Sequence, residues 1–129
     1  MKLWSILGLA VILTTPLVAE STQPFQKTTV LAIMKGNMAH LKEAVAAVKA
    51  GKDYAAADAF YLLAKDNEPL LMMDPPHGSK ADWDKLFHQV IDAALTGVGG
   101  AGEHNPQVMK KALGEIFMTL NEGHKEFRQ

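Results

Sequence analysis

Leu31-Ala32-Ile33-Met34-Lys35-Gly36-Asn37-Met38-Ala39-His40-Leu41 runs on through Val45 to Val48, and its apolar positions decide the fold. Leu31, Met34, Met38, Leu41, Val45 and Val48 are spaced 3, 4, 3, 4, 3. An α-helix turns every 3.6 residues, so this spacing lays one continuous apolar stripe along a helix. A stripe of that length must be covered by other helices. Upstream, Thr22-Gln23-Pro24 predicts the helix start, with proline in the first turn. Downstream, Ala50-Gly51 predicts its end, because glycine readily takes the left-handed conformation that closes a helix.

Three further helices follow the same logic. Asp53 is placed to cap a second helix bearing Ala56, Ala57, Phe60, Leu63 and Ala64, which should end or kink near Glu68 because Pro69 follows. Asp74-Pro75-Pro76-His77-Gly78 is a break. Ser79-Lys80-Ala81-Asp82 then resembles a capping box for a third helix with Trp83, Leu86, Phe87, Val90 and Ile91 inward. The glycine-rich stretch 97–102 is expected to be a flexible turn, since it lacks the strand and the Lys-Ser/Thr tail of a phosphate loop. Asn105-Pro106 opens a fourth helix with a stripe of Leu113, Phe117, Leu120, His124 and Phe127. No stretch alternates with the period of two that a half-buried strand needs. The expected fold is all-α, an antiparallel up-down-up-down four-helix bundle.

The first nineteen residues read as an address. Lys2 gives a positive start, Leu3 to Leu13 is apolar apart from Ser5 and Gly8, and Leu17-Val18-Ala19 offers small-residue cleavage before Glu20. The run is short for a membrane span of ~20 residues, so residues 1–19 are expected to be a cleaved signal peptide and 20–129 the bundle domain. Export points to the bacterial periplasm, with no membrane attachment after cleavage. The 129 residues carry 13 basic and 14 acidic side chains, a net charge of −1, which disfavours a nucleic-acid partner. There is no cysteine, which excludes disulfides, thiolate metal sites and covalent thioether haem. A disulfide-free exported domain rests on its core or on a bound group.

The bundle topology brings the start of the first helix and the end of the fourth to one end. Met34 lies ~10–15 Å along the first helix and His124 ~8 Å from the end of the fourth, at 1.5 Å per residue. Both sit on stripes expected to face the core, so a thioether and an imidazole can oppose each other there. That donor pair suits haem iron. The same residues equally suit ordinary core filling by methionine and a helix-terminal histidine favoured by the dipole.

The segment Met34-Lys35-Gly36-Asn37 resembles the Met-Lys-x-Asn pattern in the first helix of the class II cytochromes c, the cytochrome c-prime group. Leu120-Asn121-Glu122-Gly123-His124-Lys125-Glu126-Phe127-Arg128 is similar to that family's closing Cys-x-x-Cys-His-x-x-aromatic-Arg. Pro75-Pro76-His77-Gly78-Ser79 resembles its Pro-Gly-Ser link. Leu120 and Gly123 stand where the cysteines belong, so any haem here is non-covalent, as in the related cytochrome b562 bundle. The resemblance implies His124 as proximal and Met34 as distal ligand to haem b. Ile33 would line the distal side, and Phe117, Phe127, Leu120 and Leu41 would be pocket walls. Lys27, two turns before Met34, and Arg128, one turn after His124, would meet the propionates. It also implies electron transfer with a redox partner protein or binding of a small gas, and homodimers through the first helix. The alternative is a haem-free bundle of the same superfamily that serves as a structural, sensing or partner-binding module.

A second alternative is a Cu(I) carrier, since methionine and histidine are soft-metal ligands. The densest group is Met72-Met73-Asp74-Pro75-Pro76-His77, with Met38 and His40 as another. Enzymatic chemistry is not expected. There is no Gly-x-Ser-x-Gly, no His-Glu-x-x-His and no paired Glu-x-x-His, and Asp84, His88 and Asp92 read as one solvated helix face.

Overall fold

The structure is a computed structural model that describes residues 22–128; the expected signal peptide lies outside the described residues. Four helices follow one another: α1 (Lys27–Lys49), α2 (Asp53–Asn67), α3 (Lys80–Gly102) and α4 (Pro106–Phe127). A short 3-10 turn, Glu68–Met72, continues from α2. The described residues hold no β-strand, only an isolated parallel bridge between Gln23 and Met73. No helix among them is long and apolar enough to cross a membrane. The described residues are all-helical and compatible with a four-helix bundle.

Small residues set the packing. Ala44, Ala56, Ala59 and Ala94 are buried between helices beside Leu41, Phe60, Val90 and Ile116. α1 packs on α2, α2 on α3 and α3 on α4, whereas α1 and α4 touch only sparingly. A second apolar cluster fills one end: Leu70, Met73, Trp83, Leu86, Phe87 and Phe127. The loose seam between α1 and α4 thus borders an aromatic-rich end of the molecule.

The helix ends follow the capping chemistry. The Ser79 hydroxyl accepts from the Asp82 N–H at 3.0 Å, and Asn105 Oδ1 accepts from Gln107 and Val108 N–H at 3.2 and 3.3 Å. Gly51 closes α1 with a φ of 67°. Gly78 turns the link before α3 with a φ of 78°, and a Cβ there would press on the Phe127 ring at 3.2 Å. Ser79→Ala and Asn105→Ala should each cost about 1 kcal/mol in urea unfolding, since both remove an acceptor from otherwise unpaired helix N–H groups.

Three expectations change. First, α1 starts at Lys27, and residues 22–26 run as a strap before it. Gln23 N–H donates to Met72 C=O and Asp74 N–H donates to Gln23 C=O, each at 2.8 Å, and the Thr22 hydroxyl donates to Asp74. A residue before proline is pushed out of the α region, so Gln23-Pro24 favours this extended pairing over an early helical turn. Second, the glycines of 97–102 lie inside α3. A Cβ at Gly97 would fall 2.4 Å from Phe60, and one at Gly100 would fall 2.9 Å from Val108. Gly97 and Gly100 permit close helix approach, and the turn is left to Glu103–Asn105. Third, two stripes are rotated. Leu31 and Met38 on α1 and Phe117 on α4 are about half exposed, while Asn37, Ala44, Met109, Ala112 and Ile116 are buried.

Candidate functional site

Met34 is the eighth residue of α1, half-buried, and packs against the aromatic cluster. His124 lies in the last turn of α4. The expectation that its ring faces the core is not met: His124 is exposed. It nevertheless borders the same cavity as Met34. This cavity, of about 400 Å³, opens between α1, α3 and α4 at the end where the seam is loose. Lys27 and Arg128 line it too, so all four residues singled out from the sequence meet at one place.

The walls are apolar. Trp83 and Phe87 meet edge-on with centroids 4.7 Å apart, and Trp83 and Phe127 do so at 5.1 Å. Trp83 Nε1–H donates to Leu70 C=O at 2.7 Å, so the indole presents no unpaired donor to the cavity. Leu120 and Phe127 line the cavity as expected. Phe117 and Leu41 do not: the first is exposed and the second is sealed inside the principal core. Ile33 packs with the end cluster beside the cavity. The α3 contribution, Trp83, Leu86 and Phe87, was open to sequence reasoning as an inward stripe, but nothing in one stripe says which of its turns meets a gap. Phe25, on the strap before α1, also lines the cavity. Its place follows from the Gln23–Met73 bridge, which has no sequence signature.

Gly123 has a specific neighbour. A Cβ there would lie 3.0 Å from Leu86 Cδ2, so the glycine lets α4 approach α3. Leu120 is part of the principal core. The positions that resemble attachment cysteines therefore serve helix packing.

Non-covalent haem would need an apolar slot, soft donors for its iron and cations for its carboxylates. A cavity of ~300–1,000 Å³ with apolar walls and a few polar groups is usual for a small organic ligand, and this one falls inside that range. It offers a thioether, an imidazole and two cations. Among the described residues none of Lys27, His124 and Arg128 is committed to an ion pair. These groups are of the kind that would hold haem: soft donors for iron and cations for its carboxylates.

The copper groups fare differently. Met73 is buried in the end cluster, while its neighbour Met72 is exposed, so the two side chains point apart. His77 leans on Phe127 with centroids 6.2 Å apart. His40 is held by Asp66 at 3.0 Å and Glu43 at 3.4 Å, and Met38 is exposed. No cluster of three or more histidine and carboxylate side chains placed to hold a metal occurs among the described residues. No family model, curated protein or solved structure matches the chain.

Proposed function

We propose that this chain is an exported haem-binding bundle of cytochrome c-prime or cytochrome b562 design, with helices running up-down-up-down and a non-covalent haem b between α1, α3 and α4. The observation that carries this is the convergence of Met34, His124, Lys27 and Arg128 on one apolar cavity. Bound there, haem would supply a one-electron couple or a coordination site for a small gas. His124 and Met34 would hold the iron, and Lys27 and Arg128 would meet the propionates where they stay hydrated. Trp83, Phe87 and Phe127 would keep water from the ring. The periplasm is the proposed location.

Hemin titrated into the chain lacking residues 1–19 should give a saturable, one-to-one Soret spectrum. His124→Ala should weaken that binding tenfold or more. Met34→Ala should retain binding and shift the spectrum toward a five-coordinate or water-bound form. Weak, unsaturable uptake that ignores His124→Ala would reject the proposal.

A haem-free bundle that binds an apolar ligand or partner is the second reading. It is favoured by the contact of Leu86 with the Gly123 position and by the burial of Leu120, which commit both cysteine-like positions to packing. Under this reading Lys27, His124 and Arg128 are ordinary exposed residues, and hemin gives no specific spectrum.

A further inference from the structure

Asn37 and Asn67 are buried, at 1% and 0% exposed, between α1 and α2. Their amides pair reciprocally: Asn37 Nδ2 donates to Asn67 Oδ1 at 3.0 Å, and Asn67 Nδ2 donates to Asn37 Oδ1 at 2.7 Å. Each amide has two N–H groups, so one on each remains to be placed. Asn67 gives its second to Leu63 C=O at 2.7 Å. Asn37 gives its second to the Met34 sulfur, with Nδ2 and Sδ 3.9 Å apart. All four N–H groups are thereby used, and neither amide can flip without losing bonds that burial makes costly to lose.

We infer that Asn37 is a positioning residue for the Met34 thioether. The inference rests on the reading of the cavity as a site in which that sulfur meets its ligand. Methionine is the most adaptable apolar side chain, with three rotatable bonds, and left to itself would repack among the aliphatic residues of the end cluster. Asn37 stands one turn after Met34 on α1, and Asn67 fixes it from α2. A thioether sulfur has two lone pairs, so one amide N–H occupies one of them and leaves the other for a soft electron-pair acceptor. A leucine at position 34 would fill the same volume with no such direction. The pair therefore connects the α1–α2 interface to the orientation of a donor in the cavity wall.

Two variants test this in the protein free of any ligand. Asn37→Leu combined with Asn67→Leu removes both amides together, so no single buried amide is stranded. With the fold intact by circular dichroism, the Met34 ¹³C-methyl resonance should lose its distinct shift and move toward those of the exposed Met38 and Met118, while Met109 in the principal core stays in place. Met34→Leu reads the contact from the other side and leaves the pair whole. One Asn37 side-chain N–H resonance should shift, while its partner proton, bonded to Asn67, should not. A Met34 methyl unchanged in the double variant, or an Asn37 amide unchanged in Met34→Leu, overturns the inference. Hemin titration of the unaltered chain is scored separately: no specific spectrum there rejects the haem reading, whereas the methyl and amide resonances report on the sulfur contact alone.

Discussion

Trp83→Ala should cost about 3–5 kcal/mol of folding stability, the range for truncating a large buried aromatic residue. Trp83 is 2% exposed, and its indole is wedged edge-on between Phe87 and Phe127. Its N–H also donates to the Leu70 carbonyl within the 3-10 turn, an oxygen that Met73 N–H reaches at 3.3 Å, so truncation leaves a void and removes the shorter of two buried hydrogen bonds to that carbonyl. A domain of this size has roughly 5–15 kcal/mol in total, so the loss should be plain in a urea titration as a large fall in midpoint. Trp83→Phe separates the two terms. It keeps most of the ring volume, removes the N–H donor and should cost about 0.5–1.5 kcal/mol, the net worth of one hydrogen bond to a carbonyl that keeps a second partner. A loss below about 1 kcal/mol for Trp83→Ala would mean that the aromatic end collapses freely around the gap, and that the cavity beside it has no fixed shape.

That outcome bears on the site directly. The end cluster that Trp83 anchors forms the α3 side of the cavity, while α1 and α4 supply the donors and cations. A cavity can persist where α1 and α4 touch sparingly only if the third wall is rigid. The bundle is thus asymmetric by design of its residues. Alanines and glycines bring α2, α3 and α4 close over most of their length. Aromatic rings prop the helices apart at the end where α1 begins and α4 finishes.

How far the sequence reveals this depends on the kind of signal. Helix ends were legible where one side chain does the work, as with Ser79, Asn105 and Gly51. They were not legible at Pro24, because proline suits both a first helical turn and an extended strap, and the choice was made by Met72 and Asp74 far along the chain. Stripe positions were legible to within one step of rotation. The spacing of Leu31, Met34, Met38 and Leu41 is sound, but Leu31 and Met38 are half exposed, and Asn37 and Ala44 of the neighbouring row join Leu41 in burial. A buried asparagine is invisible to a hydrophobic pattern, since its burial depends on Asn67 thirty residues away. The candidate donors could be named in advance because the Met34-Lys35-Gly36-Asn37 and His124-to-Arg128 segments resemble a known pattern; their spacing alone suits ordinary core filling equally well. The walls could not, since every helix carries apolar residues and only packing shows which of them face a gap.

The glycines of α3 make the sharpest division between local and tertiary effects. Helix propensity alone says that replacing a mid-helix glycine by alanine stabilises by up to ~1 kcal/mol. Gly99→Ala should do so, because a Cβ there meets nothing within 4 Å. Gly97→Ala should do the opposite. Its Cβ would lie 2.4–2.6 Å from three atoms of the Phe60 ring, and Phe60 is 0% exposed with no solvent side to move toward. Overpacking of a closed core costs ~1–3 kcal/mol and more when a rigid group is struck, which outweighs the propensity gain, so a net loss of about 2 kcal/mol is expected. The two substitutions are chemically identical, two residues apart in one helix, and differ only in what faces them. Urea midpoints moving in opposite directions would establish that α2 and α3 are in contact through Gly97. Parallel gains would instead restore the flexible turn and with it a shorter α3.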